Sequence, residues 1–244
     1  EQTLIKRIEL GIPSPEHARA AINSGLDLRV TPKIDTGLNR SGIDEADWAD
    51  TFRMLHDAPN IAVTGLFSHL ACADEPGDPS VDEQADVFRR AIAVARDCEL
   101  DVPTNHLSNS PAALTRPDLN FEMIRPGLAC YGLSPIPGVD AGLRPAMTWA
   151  ARVSVVKKIT AGEGVSYGHT WRAPSNGYTA VITVGYADGL PRTAQDALSV
   201  TIGGARSSQV GRVCMDQIVV WLGTEASVRA GDCLLYTSPS PRDS

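Results

Sequence analysis

The sequence is short of lysine: its 244 residues include 22 basic ones, but only Lys6, Lys33, Lys157 and Lys158 are lysines. Acidic residues number 29, so the formal net charge is −7, which argues against a concentrated basic surface for nucleic acid. Apolar runs also stop well short of the ~20 residues that a membrane-spanning helix needs. We therefore expect a protein without nucleic-acid or membrane partners.

The cysteines do not form a pattern that indicates cross-links. There are five, they are scattered along the chain, and no two form a C-x-x-C pair. An odd number at irregular spacing favours neither a disulfide framework nor a zinc site, so we predict no metal and a reducing, cytoplasmic compartment. The first ten residues, EQTLIKRIEL, lack an initiator methionine and the apolar core of a signal peptide. We expect the chain to begin inside a longer protein.

Residues 1–134 alternate short apolar segments with helical patterns. Strands are predicted at 7–12, 28–35, 61–69, 105–107 and 121–124. Repeated strand–helix units form a parallel sheet, which is either open or closed into a barrel. Because a complete (β/α)8 barrel takes ~250 residues, this stretch predicts either an open sheet or an incomplete barrel.

The helices between these strands carry sequence signals at their ends. Ser14 is the predicted N-cap of the first helix, Pro15 its first residue and Gly25 its stop. Ser80 and Glu83 predict a capping box for the third helix. Buried faces are predicted at Trp48, Phe52 and Leu55 in the second helix, and at Ala85, Phe88, Ile92 and Ala95 in the third.

After residue 134 the pattern changes to strands alone. They are predicted at 149–159, 179–184, 198–202 and 210–222, with turns such as Asn176-Gly177 between them. We predict a mostly β domain over residues 135–232. Residues 233–244, CLLYTSPSPRDS, fit neither half and look like a translated sequencing adapter. We predict a non-native tail there, and a disordered Ser/Pro tail is the alternative.

Three segments of the first half place polar side chains at or near the ends of predicted strands. They carry Lys33 and Arg40, then His69, then Asn109 and Ser110. Parallel α/β folds place active sites at the carboxyl ends of their strands, and a hydroxyl beside backbone N–H groups can hold a phosphate. Each segment also has a structural interpretation: an ion pair for Lys33, a packed histidine for His69 and a helix N-cap for Ser110.

Other segments combine glycine with cationic or aromatic residues. Arg125 offers a fixed cationic fork close to Gly127 and Leu128, where glycine lets the backbone approach an anion. In the second half, Tyr167, Tyr186 and Met215 lie in three glycine-containing segments. From the residues alone, ordinary surface loops remain the alternative for these three.

Taken in order, seven segments resemble the alanine racemase family over essentially residues 1–232. The shared patterns are K-x-D-T-G-x-x-R, a strand-end His before A-x-A-D-E, N-S-x-A, R-P-G-x-x-x-Y-G, V-S-Y-G-H-T, V-G-Y-A-D-G-x-P-R and G-R-V-C-M-D-Q. The resemblance implies an α/β fold: part of a (β/α)8 TIM-type barrel over 1–134 that binds pyridoxal 5'-phosphate (PLP), followed by a β domain. It also implies a homodimer whose active sites are shared between subunits.

The same resemblance implies roles for the site residues. Alanine would be racemised by two bases, the lysine that holds PLP and Tyr167, which the partner subunit contributes. His69, adjacent to Arg125, would relay protons, while Arg125 would donate to the pyridine nitrogen. The remaining positions would be Asn109, Ser110, Gly127 and Leu128 at the cofactor and its phosphate, Arg40 at the phenolic oxygen and the substrate carboxylate, Lys33 (carbamylated in many members) fixing Arg40, and Tyr186 and Met215 lining the substrate site.

Two family features have no counterpart here. The PLP lysine of the family lies in a K-A-D/N-A-Y-G-H-G context near the N-terminus, and the C-terminal tyrosine that contacts the phosphate is also missing. We therefore expect this chain alone not to racemise. Three alternatives stay open: a serine or broad-specificity racemase of the same fold, a non-catalytic PLP-binding protein on a related barrel, and a lysine-less partner protein. The β domain argues against the second.

Overall fold

The computed structural model describes residues 8–225 and 228–236, the last three of them by their backbone alone. It divides into two compact units, with the division between Ala146 and Met147. The predicted domain boundary, between residues 134 and 135, lies earlier. Residues 135–146 stay with the first unit, where Ile136 is buried and the Ala146 N–H donates to the carbonyl of Tyr131.

A parallel sheet forms the frame of the first unit, as predicted. Its strands are β1 (Leu10–Ile12), β2 (Leu28–Pro32) and β3 (Ile61–Val63), in the order β1-β2-β3. Beyond the strands, single parallel bridges join Lys33 to Phe67 and Phe67 to His106. The predicted strand at 105–107 is reduced to this bridge. Residues that follow different strands are thereby brought to one edge of the sheet.

The strands are shorter than predicted because the backbone turns away from the ladder. Within the predicted strand 61–69, Gly65 has φ +153°, and a Cβ there would lie 1.8 Å from the carbonyl oxygen of Thr104. Only glycine fits this approach, so the regular ladder ends before it. The prediction of a strand at 121–124 is wrong, since Phe121 has φ +46° and opens a turn.

The helices of the first unit bury the faces that their spacing predicts. Ser14 caps the first helix as predicted, because its side chain accepts from the His17 N–H at 3.4 Å. Trp48, Phe52 and Phe88 are at most 1% exposed in the core of this unit. No helix in the described part of the chain is long and apolar enough to cross a membrane. The helices are α1 (Pro15–Asn23), α2 (Trp48–His56), α3 (Ser80–Asp97) and α4 (Ser110–Thr115).

The predicted capping box at Ser80 and Glu83 is wrong. Helix α3 already includes Ser80 as its first residue, and Pro79 occupies the N-cap position without a side-chain bond. The Ser80 N–H donates instead to Asp78 Oδ1 at 2.9 Å. Asp78, two residues before Ser80, is therefore the residue whose side chain caps this helix. Its negative charge is also favourable near the positive N-terminal end of the helix.

The second unit is a closed antiparallel barrel, which confirms the predicted mostly β domain. The strands are β4 (Trp149–Ile159), β5 (Gly164–Val165), β6 (Trp171–Arg172), β7 (Gly177–Ile182), β8 (Ser199–Ile202), β9 (Ala205–Val210), β10 (Ile218–Gly223) and β11 (Cys233–Tyr236). The barrel follows the order β10-β7-β4-β11-β8-β9, and β5 pairs with β6 separately.

Two segments of this unit differ from the sequence prediction. The predicted strand 210–222 is two strands, because Gly211 at φ +71° turns the chain after β9 and the ladder resumes only at Ile218. Cys233–Tyr236, which we assigned to a non-native tail, pairs with β4 and β8 as β11. The rest of that tail, residues 237–244, lies outside the described residues.

Candidate active site

Lys33 directly follows β2 and is only 9% exposed. Its Nζ donates to Ser41 Oγ at 2.6 Å. Burial, and then the nearby Arg40 guanidinium, lowers the pKa of Lys33, although the Asp35 carboxylate acts in the opposite direction. A hydroxyl therefore occupies the position that the structural interpretation gave to a carboxylate, and the described residues show no ion pair at Lys33.

One carboxylate shapes the loop that carries Arg40. Asp35 Oδ1 accepts the backbone N–H groups of Gly37 at 3.0 Å and Asn39 at 3.1 Å. Asn39 has φ +54°, in the left-handed region that asparagine enters more readily than most residues. Arg40 follows it and is exposed. The turn thus presents an exposed cation close enough to Lys33 to lower the pKa of that lysine.

Arg125 uses four of its five N–H groups inside the first unit. Nη1 donates to His106 Nδ1 at 2.6 Å and to the His106 carbonyl at 2.9 Å. Nη2 donates to the carbonyls of Ser68 at 2.5 Å and Leu107 at 3.4 Å. These partners include no carboxylate, and burial lowers the pKa of Arg125. The fifth donor, Nε–H, has no partner among the described residues, so it is available to one acceptor from outside them.

The ring of Phe67 supports both Arg125 and His106. It stacks on the imidazole with the centroids 5.3 Å apart and an interplanar angle of 14°, and Arg125 Cζ lies 5.6 Å from its centroid. Gly11 makes room for it, since a Cβ there would lie 3.2 Å from Phe67 Cζ. Backbone bridge, ring stacking and hydrogen bonds together hold the guanidinium in one orientation.

Two histidines in this region are neutral near pH 7. Burial, and then Arg125, lowers the pKa of His106 to about 4. Burial also lowers the pKa of His69, followed by the charges of Arg125, Arg40 and Lys33. His69, which we predicted to be adjacent to Arg125, is affected by the charge of that arginine, but the imidazole that bonds Arg125 is His106. Sequence reasoning missed this role; the available signal was its position at the end of a predicted strand.

The low pKa of His106 predicts that acid destabilises the fold. The imidazole binds a proton near pH 6.5 when unfolded and only near pH 4 when folded, so the free energy of unfolding should fall as the pH drops from 6.5 to 4. The contribution is complete above pH 6.5, and its loss amounts to at most about 3 kcal/mol. In urea unfolding at several pH values, His106→Gln should show a flatter pH dependence, because glutamine keeps an acceptor but does not titrate. His56→Gln at the exposed end of α2 is the control, and equal slopes in all three proteins would contradict the prediction.

The hydroxyl of Ser110, at the start of α4, faces the segment that follows Arg125. Its Oγ accepts from the Gly127 N–H at 2.8 Å and from the Ala129 N–H at 3.3 Å. Interpreting Ser110 as a helix N-cap is wrong, because Asn109 is the N-cap and its side chain accepts from the Ala112 N–H at 3.3 Å. A hydroxyl and two backbone N–H groups therefore converge, as they do in anion-binding nests.

Space and charge around this cluster also suit an anion. A Cβ at Gly127 would meet no atom within 4 Å, and Leu128 is 45% exposed. Lys33, Arg40 and Arg125 supply positive charge to the same unit. In residues 8–225 and 228–236, no group of three or more His, Cys, Asp and Glu side chains could hold a metal ion. The first unit thus offers an anionic ligand a hydroxyl, backbone donors and guanidinium groups.

In the second unit, three segments that are distant in sequence meet. Ser166 Oγ donates to the carbonyl of Arg212 at 2.9 Å, and the Tyr186 N–H donates to the carbonyl of Cys214 at 3.0 Å. The Ala187 N–H donates to the carbonyl of Met215 at 2.8 Å. One stretch, 212–215, therefore supports both turns that carry tyrosines. The side chains the sequence selected here are exposed: Tyr167 by 72%, Tyr186 by 40% and Met215 by 59%.

Gly185 permits the close approach between the Tyr186 turn and stretch 212–215. A Cβ at Gly185 would lie 2.4 Å from the carbonyl oxygens of Cys214 and Met215. The ring of Tyr186 lies under Arg192, whose Cζ is 5.8 Å from the ring centroid. The second unit thus presents phenol and thioether groups from a rigid, glycine-dependent backbone.

Known protein families match both units. The model described as "Alanine racemase, N-terminal domain" matches residues 1–135, and "Alanine racemase, C-terminal domain" matches residues 146–240. The alanine racemase of Corynebacterium efficiens is 58% identical over 229 residues, which cover 92% of this chain and 62% of the relative. That of Thermobifida fusca is 43% identical over 240 residues, which cover 95% of this chain and 64% of the relative. The chain spans less than two thirds of the length of these relatives.

Solved structures agree with the sequence matches. The alanine racemase from Corynebacterium glutamicum superposes with a TM-score of 0.78 at 50% identity, over 96% of this chain and 63% of that structure. The enzyme from Streptomyces coelicolor A3(2) superposes with a TM-score of 0.87 at 39% identity, over 99% of this chain and 66% of that structure. These likenesses confirm the predicted fold class, a partial α/β barrel followed by a mostly β domain.

Proposed function

This chain belongs to the alanine racemase family, and on that premise we propose that it carries most of the active site of an enzyme that interconverts L-alanine and D-alanine with PLP. The observation that carries the proposal is Arg125, a half-buried guanidinium with four N–H groups satisfied and Nε–H left over. A single fixed donor of this kind fits one acceptor, such as the pyridine nitrogen of PLP.

The described residues fit PLP at its other polar groups as well. Ser110 Oγ and the Gly127 N–H, which now bond each other at 2.8 Å, would hold the phosphate together with Leu128. Arg40 would contact the phenolic oxygen, and Lys33 would fix Arg40 once it is carbamylated, because the carbamate is an anion whereas the free ammonium repels the guanidinium. Asn109 would contribute by holding the start of α4 through its bond to the backbone. The positive charges of Lys33, Arg40 and Arg125, which all act on His69, match the anionic character of this cofactor.

Bound PLP would supply an electron sink for the charge that remains on the substrate Cα when its proton leaves. Arg125 would limit that sink, because a guanidinium that donates through Nε–H disfavours protonation of the ring nitrogen. Return of a proton to the same carbon would then be favoured over transfer of the amino group. The bonds from Arg125 to His106 and to main-chain carbonyls keep this cation in place.

Proton transfer would use two bases on opposite faces of the substrate. One is the lysine that holds PLP; the other is the phenol oxygen of Tyr167, contributed across the interface of a homodimer. A free tyrosine has a pKa near 10, so base work near pH 7 needs a partner that accepts and returns the proton. His69, whose pKa burial and neighbouring cations lower, is neutral near pH 7 and is suited to that relay.

Alanine is the proposed substrate, with serine or a broader range as the alternative. Arg40 would bind the carboxylate, while Tyr186 and the backbone at Met215 would crowd the substrate side chain. A completed protein, meaning this chain joined to the part of the C. efficiens relative that it does not cover, is the material for the test. It should racemise alanine faster than serine and lysine when all three are assayed under the same conditions. Equal turnover of the three would replace alanine with the broad-specificity alternative, and no racemisation at all would overturn the proposed function.

We propose that the 244-residue chain alone is inactive, since its lysines do not suit the cofactor link. Nζ of Lys33 is engaged with Ser41, and Lys157 and Lys158 lie on β4 of the other unit. Lys6 lies outside the described residues. After incubation with PLP and borohydride, mass spectrometry should find no cofactor fixed to a lysine of this chain, whereas the completed protein should carry one equivalent. Cofactor fixed to this chain, together with racemisation, would contradict the proposal.

We place the reaction in the cytoplasm, where D-alanine would serve peptidoglycan synthesis. The free thiols of Cys72, Cys98, Cys130 and Cys214 support a reducing compartment. The lysine-less partner protein remains a second candidate, since the site residues of both units are present without the lysine pattern. Restoration of activity when the missing part is supplied would exclude it.

A further inference from the structure

Ser166, the residue before Tyr167, adopts a backbone conformation that is nearly reserved for glycine. Its φ is +59° and its ψ is −172°. Such conformations persist only where the surroundings impose them, and they concentrate at functional sites. Specific contacts therefore hold Ser166 in this conformation, and the conformation sets the direction of the next residue, Tyr167.

A triangle of polar atoms holds Ser166. Its Oγ donates to the carbonyl of Arg212 at 2.9 Å and lies 3.4 Å from Cys214 Sγ. Cys214 Sγ lies 3.6 Å from the same carbonyl oxygen. The two backbones also approach closely, because a Cβ at Gly211 would lie 2.8 Å from the carbonyl oxygen of Val165 and 2.9 Å from Ser166 Cβ. We call Ser166 Oγ, the Arg212 carbonyl and Cys214 Sγ the Ser166 anchor.

The direction of Tyr167 depends on this anchor. Tyr167 is 72% exposed, and no described residue makes a hydrogen bond to its phenol, so its side chain is aimed by its own backbone turn. The His169 N–H closes that turn on the carbonyl of Ser166 at 3.3 Å. The stretch that receives the anchor also receives the Tyr186 N–H, through Cys214 at 3.0 Å. The anchor therefore fixes the two tyrosine turns relative to each other.

We propose that Ser166 is a positioning residue for Tyr167, whose hydroxyl bond to the Arg212 carbonyl holds the phenol oxygen where it can reach the substrate Cα–H. The inference rests on the proposed function and deepens it, because it identifies what places the second base. Proton transfer falls steeply when a base is displaced by an ångström, so losing the anchor slows the step that Tyr167 performs.

The test compares Ser166→Ala and Ser166→Gly with Ser154→Ala in the completed protein. Alanine loses the hydroxyl and keeps the Cβ, whereas glycine loses both and accepts the positive φ without strain, so the second variant folds even if the first does not. Ser154 is the matched control, since its Oγ donates to the Val181 carbonyl at 3.2 Å within the same unit. Both Ser166 variants should lower kcat by about tenfold or more, and Ser154→Ala should not.

A deuterium isotope effect separates positioning from general damage. With α-deuterated L-alanine and D-alanine, the effect on kcat/KM should rise for one enantiomer only, the one from which Tyr167 removes the proton. A merely structural role would slow both proton transfers and leave the two isotope effects unchanged relative to each other. Unchanged kcat and isotope effects in both Ser166 variants would overturn the inference.

A second readout does not depend on catalysis. In the 244-residue chain, backbone hydrogen exchange at residues 166–169 should be faster in Ser166→Ala than in the unsubstituted chain or Ser154→Ala. If the unsubstituted completed protein does not racemise alanine, the proposed function fails and exchange alone decides the anchor. Equal exchange in all three chains would then overturn it.

Discussion

Replacing Tyr167 with phenylalanine should lower kcat for alanine racemisation in the completed protein by about two to four orders of magnitude. The substitution removes the phenol oxygen and leaves the ring, so the proposed second base is lost without a change in packing. Tyr167 is 72% exposed in this chain, and folding should be unaffected. The values of kcat/KM measured from both enantiomers should fall by the same factor, because the equilibrium constant of a racemisation is one and fixes their ratio.

The matched control is Tyr178→Phe, which removes a phenol oxygen from β7 of the same unit and should leave kcat unchanged. Sharing of the active site between subunits is tested by mixing inactive dimers of Tyr167→Phe with inactive dimers of a variant in the first unit. Random exchange of subunits should restore about a quarter of the unsubstituted activity, since half of the dimers then contain one intact site. No recovery after demonstrated exchange would mean that both units of one subunit serve the same site.

Replacing Arg125 with methionine should destabilise the first unit by about 3 kcal/mol or more, because buried polar groups lose their partner. The carbonyls of Ser68 and His106 and the imidazole of His106 all accept from this guanidinium. Methionine fills similar space and donates nothing, so the deficit is one of hydrogen bonding rather than volume. Urea unfolding of the completed protein at pH 7 measures it.

Arg53→Met is the control for the loss of a guanidinium, since Arg53 lies on α2 with its side chain 61% exposed and, among the described residues, pairs only with Asp50. It should leave the unfolding midpoint nearly unchanged. Arg125→Lys should lower the unfolding midpoint almost as much as Arg125→Met. An ammonium has three N–H donors at one point and cannot reach the four acceptors that the two Nη groups of arginine contact. A midpoint shift no larger than that of Arg53→Met would show that water or rearrangement satisfies the carbonyls.

The carboxyl-edge placement of the site was predictable because it follows from one rule of parallel sheets. Lys33, Phe67 and His106 are joined by bridges at that edge, where strand ends from different parts of the sequence meet. The partner of Arg125 was not predictable, since choosing His106 over His69 depends on the stacking of Phe67 on one of them. Local spacing contains no information about which ring lies beneath a distant guanidinium.

Sequence signals for helix N-termini predicted the N-cap correctly only where no other nearby side chain could bond the same backbone N–H groups. Ser14 caps α1 as predicted, whereas at α3 the carboxylate of Asp78 replaced the predicted serine cap. In the second unit, the pattern of residues 210–222 predicted one strand, but the structure has a turn after Gly211. The prediction failed because contacts with distant residues determine that turn. Those contacts, to the Ser166 and Tyr186 turns, are invisible in a sequence window of that length.

Stretch 212–215 braces both tyrosine turns, through Ser166 on one side and Tyr186 on the other. For protein engineering, the two tyrosines therefore behave as one exchangeable module rather than as two independent positions. A graft that moves residues 164–217 as a block should carry both phenols with their mutual spacing intact. A graft of either turn alone would leave out the donor's stretch 212–215, which holds that turn through hydrogen bonds. Recombination between relatives should therefore succeed only at crossover points outside this block.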